Sequence, residues 1–316
     1  MAGQPRARLL PYAVAVAVTL LWSSSYVLIK WGLQDLPPVY FATLRYLLAF
    51  AVLALADVML RKRGRGVQSR SPLPVRKLIV AGVFGYTVAQ GFQYVGLFFL
   101  PAITTSLILT FNPIFVLILG VAMIGERAGR KELGGLAIAL VGALVFFYSR
   151  VAWQGEWLGL AFTVSSGAGW AVYVILIRGL HIDGRLDSLR LTSVTMGVGA
   201  AGMVALTALT GEYAPLNLEG IAIVLWLATA NTALAFFLWN WSLASIPPYH
   251  LTVLQNVMLV EIALFSLAFL GEVVTPLMVA GMGLVLVGVV IVQLRSFPSA
   301  GAGPARALSR DSDQPG

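Results

Sequence analysis

Apolar stretches of about 20 residues follow one another along almost the whole chain, with short polar segments between them. A helix of that length crosses roughly 30 Å of hydrocarbon at about 1.5 Å per residue. Of the 316 residues, 59% are hydrophobic and only 11% are charged, whereas a soluble globular chain carries about 25% charged residues. The pattern therefore predicts an all-α membrane protein.

Ten transmembrane spans are predicted, and two of their boundaries depend on proline. Residues 78–124 and 221–270 are each too long for one crossing and have no clear polar gap. Because proline disfavours helical geometry in the residue before it, breaks are expected before Pro101 and before Pro247. The predicted spans are 10–33, 38–60, 77–99, 101–124, 131–149, 157–179, 188–210, 218–242, 248–270 and 274–294.

The positive charges predict the orientation of the spans. Of the 21 Lys and Arg residues, all but Lys30, Arg45 and Arg150 lie on the same side of the predicted spans, in alternate loops and at the termini. Such loops are cytoplasmic, so we expect a multi-pass protein of the inner (plasma) membrane with both termini inside. The net charge of +8 is explained in this way and predicts no nucleic-acid partner. The Arg-rich loop 61–77 is interpreted first as a topology signal and second as a contact for anionic membrane lipids.

Several kinds of chemistry find no support in the sequence. The chain has no cysteine, and its two histidines, His181 and His250, are far apart, so thiol chemistry is excluded and no metal site is predicted. There is no Walker-type phosphate loop. Acids, histidines and nucleophiles do not cluster as they do in an active site. No catalytic residue, no cofactor and no enzymatic activity are therefore predicted.

The sequence also contains an internal repeat. A shift of 146 residues lays Leu97 on Leu243, Pro101 on Pro247 and Gly125-Glu126 on Gly271-Glu272. It also lays Gly135 on Gly281 and Gly142 on Gly288, and a shift of 148 lays Trp22 on Trp170 and Lys30 on Arg178. Each repeat would hold five spans, and because five is odd the second copy would be inverted. Inverted repeats are typical of transporters that work by alternating access.

The repeat divides the chain into predicted regions. They are a cytoplasmic N-terminus (1–9), a first five-helix repeat (10–149), an external linker (150–156), a second five-helix repeat (157–294) and a disordered cytoplasmic tail (295–316).

Four segments carry a family resemblance: LLWSSSYVLIKWGL (20–33), PPVYFATLRYLLA (37–49), GERAGRKELGGLAIALVGALV (125–145) and GEVVTPLMVAGMGLVLVGVV (271–290). With these segments the chain resembles the EamA family of the drug/metabolite transporter superfamily. The resemblance implies a ten-helix permease with a central cavity between its halves, and many such permeases export amino acids or other metabolites. The family commonly has a proline 13 residues before the Gly-Glu glutamate in both halves. Pro113 fits, but its mate is Leu259, so we expect the second half to hold that helix differently.

Polar and aromatic side chains recur on single helical faces of the first, third and sixth predicted spans. Such faces should point away from lipid, towards a cavity or towards another helix, where they would add interhelical hydrogen bonds. The candidates for cavity lining are Trp22, Tyr26, Tyr86, Gln90, Gln93, Trp170, Tyr173, Asn231, Gln255 and Asn256.

Three charged residues inside predicted spans are candidates for proton or charge coupling: Glu261, Arg45 and Lys30. A carboxylate in mid-membrane costs about 2.5–3.5 kcal/mol, so Glu261 either exchanges a proton or cation, or is a structural carboxyl hydrogen-bonded to a neighbouring helix. Lys30 is expected to reach the membrane interface. Arg45 is expected to bind a substrate carboxylate or to pair with Asp35 or with carbonyl groups.

The sequence as a whole predicts a secondary transporter that moves a small organic metabolite, such as an amino acid or an amphipathic or aromatic compound, by alternating access, with export favoured. The alternative is a membrane scaffold or lipid-binding subunit without transport activity, which would leave the repeat and Glu261 unexplained. The oligomeric state stays open, with a homodimer among the candidates.

Overall fold

A computed structural model describes residues 5–62, 74–124, 129–148, 156–182, 187–243 and 254–293. All regular secondary structure in these ranges is helical. The helices are α1 (Pro5–Gly32), α2 (Pro38–Lys62), α3 (Val75–Phe99), α4 (102–124), α5 (Arg130–Tyr148), α6 (Trp157–Ile182), α7 (Ser188–Thr210), α8 (218–243), α9 (Leu254–Leu270) and α10 (Pro276–Gln293).

Six of these helices, α1–α3 and α6–α8, are long and apolar enough to cross a membrane, and α4, α5, α9 and α10 are shorter apolar helices. Large apolar side chains such as Leu144, Leu209 and Leu264 are mostly exposed on the outside of the bundle. So much exposed apolar surface would be unfavourable in water, but it suits contact with lipid. The protein is therefore an all-α, multi-pass membrane protein.

The buried apolar side chains form two main clusters. The larger one joins α1, α2, α3, α6, α7 and α8, and the smaller one joins α4, α5, α9 and α10. In the smaller cluster α5 and α10 touch through glycine: a Cβ on Gly135 would lie 2.7 Å from Gly288 O, and one on Gly142 would lie 2.6 Å from Val285 N. Because these neighbours are backbone atoms, only glycine fits, and the two helices pack closely at these positions.

The predicted break before Pro101 is confirmed. Helix α3 ends at Phe99, Leu100 is extended (φ −111°, ψ 151°), and the next helical segment begins at Ala102. Proline excludes helical geometry at Leu100, as expected. The second predicted break, before Pro247, and the Gly125-Glu126 pair lie outside the described residues.

Helices α3 and α8 each contain one wider turn of π-helix. The turns are Val83–Val88 in α3 and Thr229–Leu234 in α8, and every residue of the first lies 146 positions before its counterpart in the second. In the α8 turn the Thr232 hydroxyl donates to Leu227 O at 2.8 Å, a carbonyl five residues back. Such π-turns are frequent at functional sites.

Helices α4 and α9 are interrupted at matching positions. Phe111 N donates to Ile108 O at 3.1 Å and Val257 N donates to Leu254 O at 3.0 Å, and these two pairs are again 146 residues apart. Pro113 explains the interruption in α4 because proline lacks an N–H and clashes with the preceding turn. Helix α9 has Leu259 in that place and is interrupted all the same. It differs from α4 further on, since it ends in a π-turn (Ser266–Leu270) where the matching residues of α4 are α-helical.

Candidate functional site

The guanidinium of Arg45 lies at the centre of a polar cluster between α2, α3 and α8. Its side chain is almost completely buried (4% exposed). Nε donates to Thr232 Oγ1 at 2.7 Å, Nη1 to Tyr94 OH at 3.1 Å and Nη2 to Asn231 O at 3.5 Å. The guanidinium carbon also lies 5.3 Å from the ring centroid of Tyr46, within the range of a cation–π contact.

Every partner of Arg45 in the described part of the chain is neutral. An ion pair on the same helix joins Arg61 to Asp57 at 2.9 Å, away from Arg45. Asp35, one of the partners considered from the sequence, accepts instead from Asn217 Nδ2 at 3.1 Å. The pairing of Arg45 with a carbonyl is found, but only through the long contact to Asn231 O.

Two amide side chains of α3 connect the cluster to α1 and α2. Tyr46 OH donates to Gln90 Oε1 at 2.7 Å, and Gln93 Nε2 donates to Tyr26 OH at 2.9 Å. The predicted polar face of α3 therefore points at the neighbouring helices and not at lipid. Each of these pairs also joins two helices, so the hydrogen bonds alone do not distinguish the lining of a cavity from a structural network.

Asn231 belongs to the π-turn of α8 and is completely buried. Its Nδ2 donates to Leu21 O and, at 3.3 Å, to Ser24 Oγ, both on α1. Among the described residues its Oδ1 atom has no hydrogen-bond partner. Since a buried acceptor without a donor costs about 1–3 kcal/mol, this oxygen is a candidate contact for a bound molecule.

Aromatic rings form a continuous row beside the polar cluster, with contributions from α1, α3, α6 and α8. The centroid distances along the row are 4.9 Å from Trp239 to Trp22, 5.4 Å from Trp22 to Phe236, 6.2 Å from Phe236 to Tyr86, 5.5 Å from Tyr86 to Tyr173 and 5.1 Å from Tyr173 to Trp170. The ring of Tyr46 lies 5.8 Å from that of Tyr86. Four predicted lining residues, Trp22, Tyr86, Trp170 and Tyr173, are thus brought together, and Tyr46 joins them to Arg45.

Glu261 lies against α1. Its Oε2 accepts from Ser23 Oγ at 2.7 Å, while its Oε1 lies 3.0 Å from Thr19 Oγ1. The Thr19 hydroxyl is also 2.8 Å from Val16 O, and it has a single proton to donate. This proton is therefore shared between Val16 O and Glu261 Oε1 as alternative acceptors. The Glu261 carboxyl thus has two hydroxyl groups of α1 as its partners.

Lys30 and Glu272 flank the Leu100-Pro101 turn. Lys30 Nζ donates to Leu97 O at 2.8 Å and to Leu100 O at 3.1 Å. The Glu272 carboxylate accepts from Ala102 N at 2.6 Å and from Ile103 N at 3.0 Å. Both charges complement the dipoles of the helix ends they touch. The Lys30 ammonium therefore binds backbone carbonyls at the C-terminal end of α3, and the interpretation that it reaches the membrane interface stays a prediction.

The last two predicted lining residues, Gln255 and Asn256, lie on the turn of α9 before the interruption at Val257, where Asn256 is buried and Gln255 is half-buried. The sequence interpretation missed other members of the site: Thr19, Ser23, Tyr46, Thr232, Phe236 and Trp239. The spacing of Phe236 and Trp239 on one helical face was an available signal. Hydroxyl residues are too common in apolar helices to be selected without their partners.

A bundle of apolar helices around a buried polar and aromatic cluster is the architecture of a small-molecule transporter. The EamA-like transporter family model matches residues 9–148 and again residues 157–294. The chain belongs to this family, within the drug/metabolite transporter superfamily. Members and relatives are named as transporters and not as enzymes.

Three relatives in curated collections match over nearly their full length. The chain is 26% identical to a "Probable amino-acid metabolite efflux pump" of Salmonella typhimurium, over 88% of this chain and 93% of the relative. It is 24% identical to a "Probable terminal-alkyne amino-acid exporter" of Streptantibioticus cattleyicolor, over 89% and 93%. It is 25% identical to an "S-adenosylmethionine/S-adenosylhomocysteine transporter" of Chlamydia trachomatis, over 88% and 87%.

A solved structure has the same fold. Its TM-score is 0.62 at 21% sequence identity, and the match covers 92% of this chain and 100% of that one. At this identity the likeness concerns the fold alone.

Proposed function

We propose that the chain is a secondary transporter that carries a small organic metabolite, such as an amino acid or an amphipathic or aromatic compound, by alternating access. It would have ten spans in two inverted five-helix repeats around a central cavity. The repeats would be residues 10–149 and 157–294, joined by an external linker (150–156) and flanked by a cytoplasmic N-terminus (1–9) and tail (295–316). The membrane would be the inner (plasma) membrane.

The backbone supports the repeat. The π-turns of α3 and α8 are 146 residues apart, and so are the interruptions of α4 and α9, the same shift that aligns the sequence halves. Six long and four shorter apolar helices support the count of ten. Because five spans make an odd number, the second copy of such a repeat enters the membrane from the other side, and this symmetry lets the two halves exchange conformations.

The observation that carries the proposal is the position of the polar and aromatic cluster. Tyr86 comes from the π-turn of the first half, and Asn231 and Thr232 come from the π-turn of the second. Tyr46 stands between them, in contact with the Tyr86 ring and with the Arg45 guanidinium. A site made from equivalent turns of both halves would change shape whenever the halves move relative to each other, as alternating access requires.

The names of relatives support the kind of cargo and the direction. Two of the three relatives described above are named for amino acids or their metabolites, one as an efflux pump and one as an exporter. The aromatic row fits a cargo with an apolar or aromatic part. Export of such a compound is therefore the favoured direction.

Proton exchange at Glu261 would drive the transport. Its partners Thr19 and Ser23 are hydroxyl groups, and the described part of α4 that packs on α9 offers no titratable side chain. On α1, Tyr26 contacts Gln93, Lys30 contacts backbone carbonyls, and Tyr12 packs, like Leu254, in the cluster around Ala15. No described cation compensates the Glu261 carboxylate, so protonation is the simplest way to remove its charge during the cycle.

Flux through the purified protein tests the proposal. We expect proteoliposomes that contain the full-length chain to release at least one compound from a panel of amino acids, amines and aromatic acids faster than protein-free liposomes do. Absence of flux for every compound, from protein that is folded by its thermal transition, would contradict the transporter assignment.

A further inference from the structure

The Arg45 site holds a buried positive charge without a negative one. The side chain is 4% exposed, and its described contacts are two hydroxyls, one carbonyl and two aromatic faces. Neutral acceptors satisfy single N–H groups but do not balance the charge, and a buried ion without an opposite charge is costly. The described contacts use three of the five N–H groups of the guanidinium. No anion among the described contacts therefore balances the positive charge of Arg45.

A second unsatisfied group lies on the same turn of α8. Asn231 O and Thr232 Oγ1 contact Arg45, while Asn231 Oδ1 is completely buried and has no donor among the described residues. A guanidinium binds a carboxylate with two parallel hydrogen bonds, and an amide oxygen accepts one hydrogen bond from an amine or a hydroxyl. A guanidinium that can bind a carboxylate therefore lies next to an amide oxygen that can accept a hydrogen bond from an amine or a hydroxyl.

The apolar part of a ligand also has a place in this arrangement. The Tyr46 ring lies beside the Arg45 guanidinium at 5.3 Å and beside the Tyr86 ring at 5.8 Å, and Tyr86 continues into the aromatic row. A ligand that binds Arg45 with its polar end can extend along these rings, where its apolar part contacts a continuous aromatic surface.

We propose that Arg45 is the specificity-determining residue of the transporter and binds a carboxylate of the cargo. The cargo is a small organic acid with an apolar or aromatic body and a hydrogen-bond donor near the carboxylate, which Asn231 Oδ1 accepts. This assignment rests on the proposed transport function and narrows it, since amines and neutral compounds without a carboxylate are excluded. The competing role for Arg45 is purely structural, with the side chain joining α2, α3 and α8.

Three compounds that share one aromatic body separate these roles on the wild-type protein. They are L-phenylalanine (carboxylate and amine), 3-phenylpropionate (carboxylate only) and 2-phenylethylamine (amine only), and binding to the full-length chain in nanodiscs is measured by calorimetry and by thermal stabilisation. We expect phenylalanine to bind several-fold more tightly than phenylpropionate, and phenylethylamine at least about tenfold more weakly than either acid. An amine that binds as tightly as the acids overturns the proposal.

Two variants test the residue itself. Arg45→Gln should weaken binding of both acids by at least about tenfold. Thr232→Asp places a carboxylate where Thr232 Oγ1 now accepts from Arg45 Nε, so it should abolish acid binding, because the charge is then balanced internally. It also removes the hydrogen bond from Thr232 to Leu227 O, so folding of this variant is checked by its thermal transition. Arg61→Gln, at a surface ion pair on the same helix, is the matched control and should bind like the wild type.

The outcomes distinguish this proposal from the more general one. Wild-type acid affinity in Arg45→Gln or in Thr232→Asp assigns a structural role to Arg45 and overturns the inference, whereas flux of some other compound would leave the transport function standing. Failure of all three compounds to bind also contradicts the inference, and the flux panel then decides the transport function separately.

Discussion

At the scale of single residues, Arg45 and Glu261 carry opposite charges, and the described contacts of both are neutral. The Arg45 guanidinium contacts neutral groups, which cannot balance its charge. Glu261 accepts hydrogen bonds from two neutral hydroxyls of α1. Under the proposed function, the permanent cation would hold an anionic cargo and Glu261 would exchange the proton.

Replacement of Glu261 tests this division of roles. Glu261→Gln keeps the shape and can accept from Ser23 and donate to Thr19, but its charge no longer changes. We therefore expect a folded protein whose transport rate no longer responds to an imposed pH gradient, measured in proteoliposomes with a compound found by the flux panel. Exchange of cargo across the membrane without net flux should survive.

The control variants separate coupling from packing. Glu261→Leu leaves the Ser23 hydroxyl without its acceptor and should lower stability by about 1–3 kcal/mol. Glu219→Gln, at an exposed position in the first turn of α8, should leave both stability and pH response unchanged. If Glu261→Gln transports with the wild-type rate and the wild-type pH dependence, Glu261 is a packing residue and protons follow another route.

At the scale of helices, the α5–α10 contact gives the sharpest mutational test. In Gly142→Ala the new methyl group would lie 2.6 Å from Val285 N and 2.8 Å from Gly281 O, and backbone atoms cannot move aside as a side chain can. We expect a loss of about 1–3 kcal/mol, seen as a lower unfolding temperature. The matched control is Gly283→Ala on α10, where nothing lies within 4 Å of the new atom, and it should be as stable as the wild type. Equal effects of the two substitutions would contradict the packing.

The sequence predicted the helices well but not their irregular turns. Helices beginning at Pro38, Trp157, Ser188 and Leu218 start where the predicted spans do or within a residue of them, because the change from polar to apolar residues is abrupt there. A π-turn adds one residue to a helix without changing its hydrophobicity, so the pattern gives no sign of it. Position 259 is Leu and not Pro, so the interruption at Val257 could not be predicted from a proline.

The sequence predicted which types of residue form the candidate site, but it did not predict which of them contact each other. Aromatic and amide side chains inside apolar helices indicated that α1, α3 and α6 contribute to the site, because polar groups within a membrane face the interior of the protein. The partners of Arg45 could not be inferred in this way. Thr232 and Asn231 are distant in sequence from Arg45, and their contacts depend on how α2 packs against the π-turn of α8.

At the scale of the whole molecule, the orientation of the two repeats decides whether alternating access is available. Two repeats in the same orientation would be related by an axis along the membrane normal, and their exchange would not move the opening from one side to the other. Inverted repeats place equivalent loops on opposite faces. The Gly125-Glu126 and Gly271-Glu272 loops are equivalent under the 146-residue shift, and they offer a direct test.

Single cysteines in this cysteine-free chain can report the side of each loop through a membrane-impermeant thiol reagent. We expect Val273→Cys, at a position that is 76% exposed, to be labelled from outside in intact cells, and Ala128→Cys to be labelled only after the membrane is opened. Gly211→Cys and Gly66→Cys serve as the external and cytoplasmic references, since the positive charges predict that the 61–77 loop is inside. Labelling of Ala128→Cys and Val273→Cys from the same side would exclude inversion. Labelling of Gly66→Cys from outside, with the two test positions still opposed, would reverse the orientation and preserve the inverted repeat.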